Sequence, residues 1–218
     1  MSKTSSGHTP QPAEHLEVEV KFLLDDFETV RASLLQLGAE LTHPRVYERN
    51  VRYDTLTNDL LAKAQLLRLR QDARVRLTFK GPARLQRASE AKVREEIEVT
   101  VDDFDKLSLI LQRIGFAPVQ MYEKYRETYE LGDVEIVLDE MPFGLFIELE
   151  GPEADIKQVA QQLGLDWSRR ILVNYLAMMA YFKEIFHLPF DDVTFDNFTT
   201  HPISADVIYD YSGPDATN

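Results

Sequence analysis

The sequence predicts an α+β protein in which roughly eight antiparallel strands form a sheet or barrel and helices pack against one of its faces. Three observations lead there. Charged and apolar side chains alternate at period two in stretch after stretch. One strand-then-helix unit occurs twice. The connections between successive strands are short, which antiparallel pairing permits and parallel pairing does not.

The elements follow in order. "EVEVKF" is the first strand, with Glu17, Glu19 and Lys21 on one face and Val18, Val20 and Phe22 on the other. Asp25 and Asp26 open a helix with apolar residues at helical spacing, and Gly38 ends it. "RVYERNVRYDT", "LLRLRQD" and "RVRLTFKG" are the next strands, and "GPARLQRASEAKV", from Gly81 to Val93, reads as a polar connection. "REEIEVTVDDFDKLSLILQRIGFAP" then repeats the first unit, with Asp102 and Asp103 at the helix start and Gly115 at its stop. "QMYEKYRETYEL", "DVEIVLDEM" and "GLFIELEG" complete the strands, and helical patterns run from Glu153 to Leu163 and from Ser168 to Phe186. These elements define one domain over 15–187. Segment 1–14 precedes it, and an irregular tail over 188–218, without periodicity, follows it; both ends are expected to be loosely held.

One strand face collects nearly all the charge: Glu17, Glu19, Lys21, Asn50, Arg52, Arg68, Arg70, Arg76, Thr78, Lys80, Arg94, Glu96, Glu98, Lys124, Arg126, Glu135, Asp139, Glu148 and Glu150. The opposite face is apolar, from Val18 and Val20 through Leu69, Leu77, Ile97 and Val99 to Ile147 and Leu149, and is the side expected to meet the helices. In an open sheet the charged side faces water; in a closed barrel it lines a lumen. Arginine outnumbers lysine on it, and the acids gather toward the two ends of the chain with most arginines between, an arrangement suited to a carboxylate cage beside a basic cradle for phosphate oxygens.

Composition narrows the class. The 218 residues, 44% of them hydrophobic, suffice for a sizeable core. A net charge of −13 argues against a general nucleic-acid or anionic-membrane binder. The absence of cysteine leaves oxygen or histidine ligands for any metal, and His8, His15, His43, His187 and His201 show no ligand spacing. "MSKTSSGHTPQPAEH" lacks the apolar core of a secretion signal and no apolar run is long enough to span a bilayer, so a cytoplasmic protein is expected.

"EVEVK" at Glu17 to Lys21 resembles the ExExK signature of the CYTH superfamily, the triphosphate tunnel metalloenzymes. "YDT" at Tyr53, "LRLR" at Leu67, "LTFKGP" at Leu77, "REEIE" at Arg94, "EKYR" at Glu123, "VLDE" at Val137 and "FIELEG" at Phe146 resemble the family's later strands in the family's order. The resemblance implies a closed eight-stranded antiparallel β-barrel whose lumen binds a triphosphate with two Mg²⁺ or Mn²⁺ ions. It assigns Glu17, Glu19, Asp139, Glu148 and Glu150 to metal, Arg52, Arg68, Arg70, Lys80, Arg94, Lys124 and Arg126 to the triphosphate, and Lys21 to the catalytic centre beside Glu17 and Glu19. Glu96 and Glu98 are read as orienting the arginines by salt bridges.

The function it implies is a metal-dependent phosphohydrolase of inorganic tripolyphosphate or an organic triphosphate. The alternatives are a class IV adenylate cyclase forming cyclic AMP and pyrophosphate, and a polyphosphate- or nucleotide-binding module without turnover. The expected partner is a triphosphate-containing small molecule, with no nucleic acid or membrane, in a monomer or homodimer. In "RRILVNYL" the chain departs from many relatives, which show a lysine and a Ser-Tyr pair; Arg169 or Arg170 is the candidate replacement for the lysine at a tunnel mouth, and Asn174 precedes Tyr175. Trp167, Tyr175 and Tyr181 read as helix-packing residues.

Overall fold

The computed structural model describes residues 16–83 and 89–211. Segment 1–14 with His8, His15, the middle of the Gly81 to Val93 connection and the end of the tail lie outside the described residues.

The strands are β1 (Leu16–Leu24), β2 (Glu40–Asp54), β3 (Leu66–Gln71), β4 (Val75–Pro82), β5 (Lys92–Val101), β6 (Ala117–Leu131), β7 (Val134–Met141) and β8 (Gly144–Glu150). The helices are α1 (Glu28–Leu37), α2 (Asp59–Ala62), α3 (Phe104–Arg113), α4 (Glu153–Gln162), α5 (Tyr175–Phe186) and α6 (Phe195–Thr200). All strand pairs are antiparallel, and the sheet closes on itself in the order β1-β5-β4-β3-β2-β6-β7-β8, with β1 paired to both β5 and β8. Closure decides the question the alternation left open: a face that would be solvated in an open sheet becomes an interior wall. β2 and β6 are 15 residues each, and their pairing shifts register at Leu41/His43, His43/Val46 and Arg52/Tyr53, irregularities that bend long strands around a small barrel.

Apolar stripes place the helices outside. α1 and α4 bury Val30, Leu34, Ile156 and Val159 with Val20, Ile136, Ile147 and Leu149 of β1, β7 and β8. Gly38 ends α1 in the left-handed conformation at φ 79°, which favours glycine. α3, capped by the Asp103 carboxylate accepting from Lys106 N–H, packs Phe104 and Leu111 on Val51, Tyr53 and Leu69. The outer faces of β4 and β5 are less covered: Ile97 and Val99 stay about half exposed, against the expectation that helices meet the whole apolar side.

Three local readings change. The four residues of α2 are too few for a period to show; they are held by Asp54, whose carboxylate accepts from the backbone N–H of Thr55, Leu60 and Leu61. The helix read from Ser168 is a short 3₁₀ turn at Trp167–Arg169, then an extended stretch in which Ile171 exchanges backbone hydrogen bonds with Lys21 (3.2 and 2.7 Å), then α5. The tail is packed rather than loose over its described residues. Val193 bridges Tyr122, and Leu188, Val193, Phe198, Ala205 and Ile208 are buried with Phe143, Phe146 and Phe182. Isolated apolar residues at irregular spacing leave no periodic signal, yet each finds a slot on the barrel. Among the described residues no helix is long and apolar enough to cross a membrane.

Candidate functional site

The charged face read from the sequence lines a cavity of about 340 Å³ inside the barrel. Its acidic side lies on the β1–β8–β7 seam, where Glu19 stands opposite Glu150, Lys21 opposite Glu148, and Glu135 opposite Glu150. Lys21 is 2% exposed, with its Nζ 3.1 Å from Glu19 and 3.1 Å from Glu148. Burial alone would favour its neutral form, but Glu148 and Glu19 outweigh it and hold its pKa up. Burial likewise pushes the Glu19 carboxyl up, but Lys21 and Lys92 win and bring it to about 2. Glu17 is the opposite case: burial, then repulsion from Glu19, raise it to about 7 despite Lys80 at 2.6 Å. Glu150, without an ion pair among the described residues, is pushed to about 8 by burial and then by Glu17 and Glu135.

The basic side lies on β3, β4 and β6. Arg68 donates to Tyr122 Oη (3.1 Å) and Thr78 Oγ1 (3.2 Å), Arg70 pairs with Glu98 (3.3 Å) and Glu48 (3.4 Å), and Arg76 with Asp72. Lys80 reaches Glu17 and, at 3.0 Å, Glu96. The Nε atoms of Arg52, Arg68, Arg70 and Arg76, and both amide atoms of Asn50, are buried with no hydrogen-bond partner among the described residues. Buried donors are rarely left unpaired, so a cluster of them on one wall is the signature of a site for an anionic ligand.

Two basic residues sit at the rim. Arg94 lines the barrel cavity and an adjoining chamber of about 600 Å³ and donates to Ala64 O at 2.7 Å, whereas Arg52 lines the chamber alone. Arg169 and Arg170 line neither: Arg169 stacks on Tyr209, and Arg170 on Trp167, donating to Glu90 O and Trp167 O.

Asp139, expected among the metal ligands, is surrounded by hydrogen-bond donors. It is fully buried, and its two oxygens accept from Lys124 (2.9 Å), Arg126 (2.6 Å to each oxygen) and Tyr175 Oη (3.0 Å). With its lone pairs so engaged, it orients Lys124 and Arg126. Tyr175, read as a packing residue, is that and more: it lines the cavity and donates to Asp139. Sequence reasoning also passed over Glu48, Lys92, Tyr122 and Asp72. Glu48 shares the parity of Asn50 and Arg52, Lys92 that of Arg94, and Tyr122 that of Lys124, so the period-two count extended by one residue finds all three.

The donor set suits a hard divalent cation. Glu17, Glu19, Glu148 and Glu150 offer only oxygen, and the carboxyls of Glu17 and Glu150 are raised by burial first and then by neighbouring carboxylates, whose repulsion a cation would offset. Among the described residues these carboxylates are not already gathered as a cluster of three around one point; Lys21, Lys80 and Lys92 lie between them.

The CYTH domain family model matches residues 15–172. A protein of Methanocaldococcus jannaschii carrying a provisional adenylate cyclase name is 33% identical over 145 residues, 66% of this chain and 81% of that protein. Among solved structures, a protein of Pyrococcus horikoshii aligns with TM-score 0.63 at 28% identity, over 76% of this chain and 98% of its own. A provisionally named adenylate cyclase of Vibrio parahaemolyticus gives 0.69 at 20%, over 76% and 98%. A Hippeastrum protein described as having a dominant triphosphatase activity gives 0.53 at 17%, over 76% and 95%. The last two show the fold alone. Proteins with CYTH domains bind triphosphate substrates, and their enzymes generally use divalent metal ions. A closed tunnel with a cationic wall and a carboxylate seam, matched over most of its length by one family, places this chain in the CYTH domain family.

Proposed function

We propose that the protein is a metal-dependent phosphohydrolase of a triphosphate held in the barrel. The observation that carries this reading is the set of buried Nε atoms of Arg68, Arg70 and Arg76, without hydrogen-bond partners among the described residues, on the wall of a cavity that Glu17, Glu19, Glu148 and Glu150 also line. Arg68, Arg70, Lys80, Lys124 and Arg126 bind the phosphate oxygens and offset charge that builds on them as the bond to the leaving oxygen lengthens. Arg94 and Arg52 meet the end of the chain nearest the rim. Glu17, Glu19, Glu148 and Glu150 hold the divalent cation. When bound, Mg²⁺ or Mn²⁺ supplies Lewis acidity and a water made more acidic. Lys21, fixed between Glu19 and Glu148, keeps those carboxylates at a set separation and charged. In the overall step a water oxygen bonds to the terminal phosphorus, the bond to the bridging oxygen breaks, and the water's protons leave on the products.

A class IV cyclase is the second reading, favoured by the name of the Methanocaldococcus jannaschii relative. Product analysis separates the two. Incubation with ATP and with tripolyphosphate, in Mg²⁺ and in Mn²⁺, should release orthophosphate from both; cyclic nucleotide with pyrophosphate from ATP, and no cleavage of tripolyphosphate, would replace the hydrolase by the cyclase. Tight binding without any product would leave a binding module.

The metal assignment has its own test. Glu150 faces Glu19 and Glu135 across the strands and lacks a cationic partner among the described residues. Glu150→Gln should therefore keep or raise the melting temperature while weakening Mn²⁺ binding, by calorimetry, about tenfold or more. Unchanged Mn²⁺ affinity removes Glu150 from the site.

A further inference from the structure

α2 stands at the rim, where Leu61 and then Ala64 line the chamber beside Arg94. It contributes no buried residue, and Leu61 is 57% exposed, so apolar packing does not hold it. Four helical residues have no stability of their own. What fixes them is Asp54, the last residue of β2 and only 1% exposed. Its Oδ1 accepts from Thr55 N–H (2.7 Å) and Leu60 N–H (2.9 Å), and its Oδ2 from Leu61 N–H (3.0 Å).

The constraint passes down the chain. Ala64 has a φ of 53°, a left-handed conformation that an alanine keeps only where its surroundings impose it. Ala64 N–H donates to Leu61 O (2.9 Å) and Gln65 N–H to Leu60 O (2.8 Å), and these acceptors belong to the two residues whose own N–H groups Asp54 holds. The Ala64 carbonyl, so directed, accepts from Arg94 Nη2 at 2.7 Å. This partner differs in kind from those of the neighbouring cations. Arg70, Lys80 and Arg126 meet carboxylates, which cancel part of their charge. Among the described residues no carboxylate is in ion-pair contact with Arg94, and a neutral carbonyl fixes the direction of a guanidinium while leaving its charge and its remaining donors to an anion.

We propose that Asp54 is a positioning residue for the ligand of the barrel: acting through Leu60, Leu61 and the Ala64 carbonyl, it aims Arg94, with its charge intact, at the phosphate nearest the rim. The inference rests on the triphosphate reading of the barrel. Asp54 itself lines neither cavity. Charge and geometry then act in opposite directions when Asp54 is replaced. Removing a carboxylate close to a cationic wall would by charge alone tighten the hold on an anion, so weaker binding reports the lost aim of Arg94.

The measurement is the calorimetric affinity of the full chain, with Mg²⁺, for a tripolyphosphate analogue whose bridging oxygens are replaced by NH so that it resists hydrolysis. The proteins are wild type, Asp54→Ala, Asp54→Asn, Arg94→Ala and the two double variants. Asp54→Ala should weaken binding about tenfold, and Asp54→Asn, which keeps one acceptor oxygen, about threefold. In the Arg94→Ala background neither should cost more than about 1.5-fold, because the group they position is gone. In hydrolysis of tripolyphosphate itself the Asp54→Ala loss should fall on KM, with kcat within about twofold of wild type, since a contact at the rim is made equally before and during attack on the terminal phosphorus. Unchanged affinity in folded Asp54→Ala, an equal loss in both backgrounds, or a loss carried by kcat alone overturns the positioning role while the barrel reading stands. If Asp54→Ala does not fold, Asp54→Asn in the two backgrounds decides by the same comparison. No binding of the analogue by wild type overturns both readings.

Discussion

Arg70 and Glu48 show what a lumen position demands of a side chain. Arg70 spans two carboxylates, Glu48 and Glu98, and its buried Nε, 3.8 Å from Asp72, has no hydrogen-bond partner among the described residues. A planar fork can hold such partners and a phosphate oxygen together, and an ammonium cannot. Phosphate release should therefore fall in the order Arg, Lys, Ala at position 70, with Arg70→Ala losing a few kcal/mol of productive binding, about 2–3 kcal/mol for a charge-assisted contact. Equal rates for Lys and Arg would show that only charge matters there. Glu48 is 1% exposed; burial raises its pKa, but Lys124, Arg126 and Arg70 outweigh burial and bring it to about 2. A carboxyl depressed on folding contributes stability that is complete above its unfolded pKa, near 4.5, and lost as pH falls toward 2. Glu48→Gln should thus lower stability at neutral pH, by an amount on the order of 3 kcal/mol, and flatten the decline of the melting temperature between about pH 4.5 and 2. Parallel acid limbs for wild type and variant would remove Glu48 from the account.

At the scale of elements, α5 and the tail do work that their sequence does not announce. Asn174 caps α5, accepting from Leu176 and Ala177 N–H, and this fixes the next residue, Tyr175, over the barrel end, where its hydroxyl meets Asp139. The tail locks onto β6 through Val193, whose N–H donates to Met121 O (2.9 Å) while its carbonyl accepts from Glu123 N–H (2.8 Å). Phe198 sits beneath it, 4% exposed, edge-on to Phe143 and to Phe190. Phe198→Ala should cost about 3–5 kcal/mol, read as a shift of the urea midpoint. A change within about 0.5 kcal/mol would mean that the tail detaches at no cost to the fold.

For the molecule as a whole, the basic wall has a thermodynamic consequence. Arg68, Arg70, Arg76, Lys80, Lys124 and Arg126 converge on one buried cavity, so a bound polyanion favours the folded chain over the unfolded one by mass action. Tripolyphosphate at about a hundred times its Kd should raise stability by about 2.7 kcal/mol, visible as a melting-temperature increase that shrinks as salt rises. Orthophosphate, with one phosphoryl group to contact, should give a smaller shift. No shift at saturating tripolyphosphate would count against the barrel as a phosphate site.

What the sequence by itself determined is whatever depends on neighbours along the chain. Period-two alternation placed Glu17, Glu19, Lys21, Arg68, Arg70, Lys80, Lys124, Arg126, Glu148 and Glu150 on one face because side-chain direction in a strand is a local property. Asp103 and Gly38 marked helix ends because capping and positive φ are local too. Only the tertiary structure decided that this face closes inward, since closure is set by the pairing of β1 with both β5 and β8, which lie far apart in sequence. It alone set Asp139 against Lys124, Arg126 and Tyr175, brought α5 and Asp191 to the rim, and separated the carboxyls near neutrality, Glu17 and Glu150, from those held low, Glu19 and Glu48. The physical reason is that burial and ion pairing depend on distance in space: Lys21 and Glu19 are neighbours on one strand, but the partners of Glu48 and Asp139 and the closing strand beside Glu150 lie on other elements of the chain.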